Sequence, residues 1–492
     1  MRKAYGADLV SMFVSELETG CFGRGYGLGA EDMPNGISNL AFSVVKIQNA
    51  ADAPRYSFIH ELGHNMGAGH HKEQNVEHGP QVYTYSAGWR WVGSDTNRYC
   101  SVMSYTEGFS DGQTYARVPY FSNPSISHLG AATGSAVDGD NARTIRETKH
   151  LTATYSSEWT NSQAANLVLG QSNFSTDSGG AGAGNMYHPN DVAVDWATGK
   201  IFVADAWNNR VLRFASGVAL MTGASAEAVL GQSDFNTTSS GTTARNMSYP
   251  TGVFSDPAGH LWVADQYNNR VLRFDNAATK ASGAAADGVL GQADFTSGGY
   301  ATDRNRMYCP SKVAVAAGRL WVSDHCNHRV LRFENAATKE NGADADGVLG
   351  QADFISGGYA TTRNGMYYPK GIAVSMQGTL FISENMNHRV LRFDNAATKE
   401  NGADADGVLG QADFTSKISA TTQNGMSVPV GVSCDNAGRL YVAEYGNSRV
   451  LMFDNAASKP NGANADSVLG QPDFTTRTAN DQGISSRTLN SP

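Results

Sequence analysis

Residues 380–393 read LFISENMNHRVLRF, and variants of this string stand at 201–214, 261–274, 320–333 and 440–453. Each joins two runs of alternating apolar residues, the period of a half-buried strand, through a loop carrying N-x-R. Working outward, the first run is preceded by a shorter one, such as DVAVD or GIAVS, that begins near a Pro (Pro189, Pro250, Pro310, Pro369, Pro429). Downstream, a polar connection leads to V-L-G-Q-x-[DN]-F. Its Gly recurs at Gly170, Gly231, Gly291, Gly350, Gly410 and Gly470, at intervals of 61, 60, 59, 60 and 60. Four short strands per period make a small twisted sheet that needs neighbours on both faces. That is the blade of an all-β propeller rather than a turn of a solenoid. Nothing before residue 160 shares the pattern.

The D-x-x-N-x-R-V-L-R-F element resembles the NHL repeat, over about residues 166–492. The resemblance implies a β-propeller, commonly of six blades. Five full blades are present, and SVLGQPDF at 467–474 reads as the start of a sixth. Residues 1–157 then form a separate domain and 158–165 a linker, consistent with a chain of 492 residues, too long for one core.

A second motif lies in the first domain, where residues 54–71 read PRYSFIHELGHNMGAGHH. Pro54 suits a first helical turn, and the pattern from Tyr56 to Met66 is helical. His60 and His64 then share one helix face, with Glu61 beside them as a general base. Gly67 breaks the helix, and the turn brings His70 round as a third ligand. Three neutral imidazoles leave one position of a tetrahedral zinc ion open to water, the arrangement of a catalytic site.

The complete H-E-x-x-H-x-x-G-x-x-H pattern resembles the metzincin signature, and H-E-L-G-H-N-M-G leans toward the reprolysin/adamalysin-like branch. By that resemblance the domain is an α+β zinc metallopeptidase, SVMSY at 101–105 is a Met-turn, and Met103 floors the zinc site. Tyr105 stands where such a Tyr approaches zinc or the oxyanion; a structural Tyr is the alternative. The segment RVPYFSNPSI at 117–126 resembles the wall of the primed-side pocket. His71 departs from the branch, which usually has Asp after the third His. Only 59 residues precede His60, so the catalytic domain reads as N-terminally incomplete, with any signal peptide lying upstream.

Other features are expected to be structural. Asp205, Asp265, Asp324, Glu384 and Glu444 end the second strands and, with Arg210, Arg270, Arg329, Arg389 and Arg449, recur as architecture. His71, His78 and His128 read as surface residues. Cys309 and Cys326 fall at the same end of one hairpin, and only the third blade has Cys at both places, so a disulfide is predicted. Cys21 and Cys100 are a weaker pairing. A net charge of −9 gives no electrostatic footprint for nucleic acid. No stretch approaches the roughly 20 apolar residues of a membrane span.

The expected function is that of a secreted zinc metalloendopeptidase acting on protein or peptide, whose propeller binds a protein or polysaccharide near the substrate. The rival is an extracellular adhesion protein whose propeller carries the function and whose peptidase half is inert.

Overall fold

In the computed structural model, which describes residues 10–14, 23–25, 42–46, 56–74, 82–152, 161–217 and 220–492, each repeat folds as an antiparallel meander. Two compact units emerge, Met1–Glu158 and Trp159–Pro492.

The second unit contains five four-stranded sheets among the described residues, each with its strands in chain order. In the fourth, Pro369–Val374, Leu380–Glu384, Arg389–Phe393 and Gly407–Leu409 lie side by side. Alternation decides how sheets stack. Leu261 and Val263 of the second sheet pack with Phe202 and Ala204 of the first. The intervening Trp262 and Ala264 turn the other way, onto Val313, Leu320 and Val322 of the third. Each of the three middle sheets is therefore covered on both faces, whereas Val192 and Val194 of the first sheet are 60% and 52% exposed. Each large side chain so buried contributes about 1.5–3 kcal/mol. The first strands of successive sheets are packed against one another, the innermost position of a propeller-like array.

The V-L-G string closes a sheet. Ser467–Leu469 pairs with Arg449–Phe453 as the outer strand of the fifth sheet, so SVLGQPDF is the end of that sheet and not the start of a sixth. The Gly that follows has a steric cause: Gly410 adopts φ +87, and a Cβ there would lie 2.7 Å from the Met426 sulfur and 3.0 Å from the His388 carbonyl. This pairing accounts for the Met that precedes each Pro in the repeat.

Residues 161–165, the described part of the stretch read as a linker, take part in the repeat unit. The Ser162 amide donates to the Val468 carbonyl at 3.1 Å, and the Val468 amide donates to Asn161 Oδ1 at 3.0 Å. Gly462 and Asn461 bond Val408 in the same way. A few residues on, the Val168 carbonyl accepts from the Gly223 amide at 3.0 Å. The segment thus bonds to both the first and the fifth sheets.

In the first unit, β1 (Val10–Val14) runs parallel to β3 (Phe42–Lys46), which also pairs with β2 (Gly23–Gly25). Helix α1 (Ser57–Asn65) carries the histidine motif, and α2 (Asn141–Thr152) lies behind the turn that ends it. Pro54 and His78 fall outside the described residues, as does Cys21. No described helix is long and apolar enough to cross a membrane.

Candidate metal centre

Helix α1 stops where the histidines need it to. The Gly67 amide donates to the His64 carbonyl and the Ala68 amide to the Gly63 carbonyl, both at 2.9 Å, a Schellman closure. Gly67 sits at φ +81, and a Cβ there would meet Val82 at 2.6 Å. From α2, the Asn141 amide group clamps Gly69, donating to its carbonyl at 2.9 Å and accepting from its amide at 3.1 Å. Thr148 donates to the Met66 carbonyl at 2.6 Å. The chain is thereby turned so that His70 faces α1.

The three Nε2 atoms form a near-equilateral triangle. His60 and His70 are 3.1 Å apart, His64 and His60 3.2 Å, and His64 and His70 3.0 Å. Tetrahedral ligands at 2.0–2.1 Å from zinc stand about 3.3 Å from each other, so this triangle fits such an ion closely. Among the described residues it is the one His/Cys/Asp/Glu cluster that could hold a metal. His60 Nδ1 donates to the Val102 carbonyl at 2.8 Å and His64 Nδ1 to the Ala68 carbonyl at 3.1 Å. With Nδ1 protonated, the lone pairs sit on the converging Nε2 atoms. Burial first, then the neighbouring imidazoles, push His60 well below the usual histidine range and His64 down to about 3. These two rings are held neutral, as ligands must be.

Met103, fully buried, lies under α1. A Cβ on Gly63 would come within 2.5 Å of its sulfur and 2.9 Å of Phe121, so only glycine fits that helix position. Tyr105 is 40% exposed, with its ring 4.7 Å from that of His70 and 5.8 Å from that of His60. Glu61 is buried beside the ligands, and its charge acts on the Arg117 guanidinium. Arg117 donates from Nε to the Ser104 carbonyl at 2.7 Å, lies 5.7 Å from the centre of the Tyr105 ring, and acts electrostatically on His60. It supplies a cation at the edge of the site. Sequence reasoning marked its segment as a pocket wall but gave Arg117 no role, and it missed Asn141 and Thr148 entirely.

Two histidines differ from expectation. His71 is buried, its ring edge-on to Phe109 at 5.1 Å, and burial brings it down to about 4. His128 is half-buried between Tyr99 and Trp91, at ring distances of 4.7 and 5.8 Å. The acid–Arg pairs of the repeats are architectural: Asp324 and Arg329 are both fully buried and 2.6 Å apart. Cys309 and Cys326 are free thiols, and a hydrogen bond from Cys326 lowers the Cys309 pKa. Cys100 is free and buried, its pKa raised by desolvation to about 12.

Residues 1–71 match the Reprolysin-like metallo-peptidase family M12B, and residues 186–214, 247–274 and 307–333 match the NHL repeat. The chain joins a reprolysin-like metallopeptidase domain to NHL repeats. The metallopeptidase part is similar to a Peptidyl-Asp metalloendopeptidase of Pseudomonas aeruginosa, 29% identical over 160 residues that make up 30% of this chain and 25% of the relative. A Peptidyl-Asp metalloendopeptidase of Stenotrophomonas maltophilia is 35% identical over 100 residues, 20% of this chain and 22% of the relative. The chain thus spans about a quarter or less of the length of these relatives. Among solved structures, a Nidogen/Laminin complex chain aligns with 58% of this chain and 85% of its own length, at TM-score 0.37 and 13% identity. Virginiamycin B lyase from Staphylococcus aureus aligns with 55% of this chain and 67% of its own, at TM-score 0.33 and 12% identity.

Proposed function

We propose that the protein is a secreted zinc metalloendopeptidase with a metzincin-type catalytic domain, whose NHL propeller holds it near its substrate. The observation that carries the reading is the convergence of three Nε2 atoms 3.0–3.2 Å apart beside a buried Glu61. Bound there, zinc would activate a water molecule and polarise the scissile carbonyl. Glu61 would take the proton of the attacking water and pass it to the leaving amine, so that peptide and water become a carboxylate and an amine. Tyr105 would donate its hydroxyl proton in a hydrogen bond to the carbonyl oxygen as charge develops there.

The names of the relatives suggest an acidic side chain at the scissile bond. Arg117, against Tyr105 and acting on Glu61 and His60, is the residue we assign to its recognition. In an oxidising compartment Cys309 and Cys326 would form a disulfide under this reading, which a non-reducing peptide map would detect.

The test is hydrolysis of Asp-containing peptides by the zinc-loaded chain beside Glu61→Ala and a 1,10-phenanthroline control. Cleavage lost in both supports the reading. Absence of cleavage with a full zinc equivalent bound supports the second reading, a binding protein. That reading draws on the aromatic residues exposed on one face of the propeller, with Trp207 at 49% and Tyr267 at 61% exposure.

A further inference from the structure

The innermost strands begin at the five Pro residues, and the residues just after each Pro surround one end of the propeller axis. Hydrogen bonds run from sheet to sheet there. Thr251 Oγ1 donates to the Ser311 carbonyl, and Ser311 Oγ donates to the Lys370 carbonyl, each at 3.0 Å. Lys312 reaches from the third sheet to the first, donating from Nζ to the Asn190 carbonyl at 2.7 Å and meeting Asp191 Oδ1 at 2.9 Å. Asp191 is fully engaged, since its other oxygen accepts from the Val253 amide at 2.8 Å.

Lys370 stands next to this pair without a counter-charge. Among the described residues its ammonium has neither a hydrogen-bond acceptor nor a carboxylate within ion-pair distance, and it is half-buried. The nearest charge acting on it is the like charge of Lys312. His325, on the adjoining loop, does not neutralise it: the ring is stacked on Tyr368 at 4.8 Å and donates from Nδ1 to the Pro369 carbonyl at 3.0 Å. Lys312 alone engages the Asp191 carboxylate, and the Lys370 ammonium stands beside it. A half-buried ammonium repelled by its neighbour is a place where an anionic ligand gains.

We propose that this end of the axis is a carboxylate-binding site for an acidic peptide, with Lys370 making the charged contact and Lys312 and Asp191 holding the floor. A peptide is favoured over an acidic sugar by the partial burial of Lys370. An Asp or Glu carboxylate rides on a slender methylene arm that reaches a half-buried ammonium, whereas a uronate carboxylate brings its ring with it. The rim suits the rest of a peptide. Each Pro pairs across its hairpin with the acidic residue that ends the second strand, so the loops beyond open at this same end. There Trp207, Tyr249 and Tyr267, with Asn209, Ser240 and Ser248, line a cleft of about 350 Å³. Tyr249 and Tyr267 stack at 4.7 Å, 11° from parallel, and offer a flat apolar wall.

The experiment is titration calorimetry on the full chain carrying Glu61→Ala, so that hydrolysis cannot consume the probe. The probes are a blocked peptide with one central Glu, its Gln counterpart, a peptide whose only carboxylate is its C-terminus, and oligogalacturonate. The Glu peptide should bind about 10- to 100-fold more tightly than the Gln peptide, the range of a hydrogen bond to a charged group. Lys370→Met should abolish that difference while raising the melting temperature of the propeller, because it removes an uncompensated half-buried charge. Preference for the C-terminal carboxylate over the Glu side chain would keep the site and name its source. Equal binding of the Glu and Gln peptides, a lowered melting temperature in Lys370→Met, or Lys370-dependent binding of oligogalacturonate alone would overturn the proposal.

Discussion

His60 is tied through Nδ1 to the carbonyl of Val102, 42 residues away, at 2.8 Å. The segment that carries the buried Met103 therefore also orients His60. Ligands held this way depend on their supports. Replacing His60, His64 or His70 by Ala should abolish stoichiometric zinc binding. Asn141→Ala, which frees Gly69 beside His70, should weaken zinc binding about 10- to 100-fold. Competition with a chromophoric chelator measures both, and unchanged affinity in Asn141→Ala would show that the clamp on Gly69 contributes nothing.

Gly63 leaves no room for a methyl group. A Cβ would contact the flexible end of Met103 and the rigid ring of Phe121. Gly63→Ala should destabilise the metallopeptidase unit by about 1–3 kcal/mol, the usual cost of overpacking. Chemical denaturation followed by a probe in that unit reads the change. A Met103→Ala background should relieve part of it, since the crowded sulfur is then gone.

Arg117 gives a kinetic prediction. If it recognises an acidic side chain, Arg117→Met should reduce kcat/KM for Asp peptides by about 10- to 100-fold and leave matched neutral peptides within a few-fold. A uniform loss across both sets would place Arg117 in the general support of the site.

The Asp324–Arg329 pair is buried on both sides. Arg329 also donates to the carbonyls of Phe354, Asp303 and Arg306, knitting neighbouring loops together. Arg329→Met leaves the Asp324 carboxylate in the interior without a counter-charge, held only by the Tyr308 amide and Asn327, and should cost about 3–5 kcal/mol. Thermal unfolding of the propeller unit checks this, and a loss below 1 kcal/mol would show that the carboxylate finds solvent.

The pH dependence can be read from the D-F-T-S turns. Asp413 accepts from the Thr415 and Ser416 amides, each at 2.8 Å, and these bonds hold it at about 2. Its folded pKa lies below the unfolded value of about 3.9. Its contribution to stability is therefore complete above about pH 4 and is lost as the pH falls toward 2. An NMR titration should place its midpoint near 2, and a midpoint near 4 would mean that the turn is open in solution.

These results show which parts of the molecule were legible beforehand. The acid–Arg pairs were readable because Asp324 and Arg329 are five residues apart in a repeated string. The histidine triad was readable because α1 and its Schellman turn are local. The phase of the sheets was not. A repeating string has no marked beginning, and V-L-G can pair with the strand before it or the one after it; Leu409 pairs with Val390 of its own sheet. Contacts between distant segments also left no trace. Asn141 touches Gly69 across 72 residues, and His128 is packed on Tyr99 and Trp91 by a short hairpin that no periodicity marks.

The recurring Arg has a further consequence. Each one holds loop carbonyls at the end of its sheet, so the loop backbone is set before any ligand arrives. The side chains at one fixed place on those loops are free to differ: Trp207, Tyr267, Cys326, Met386 and Gly446 occupy matching positions. The frame works like a printer's forme, in which the type can be changed while the lock-up stays the same. A new binding preference on that face would require a handful of surface substitutions and no change to the interior.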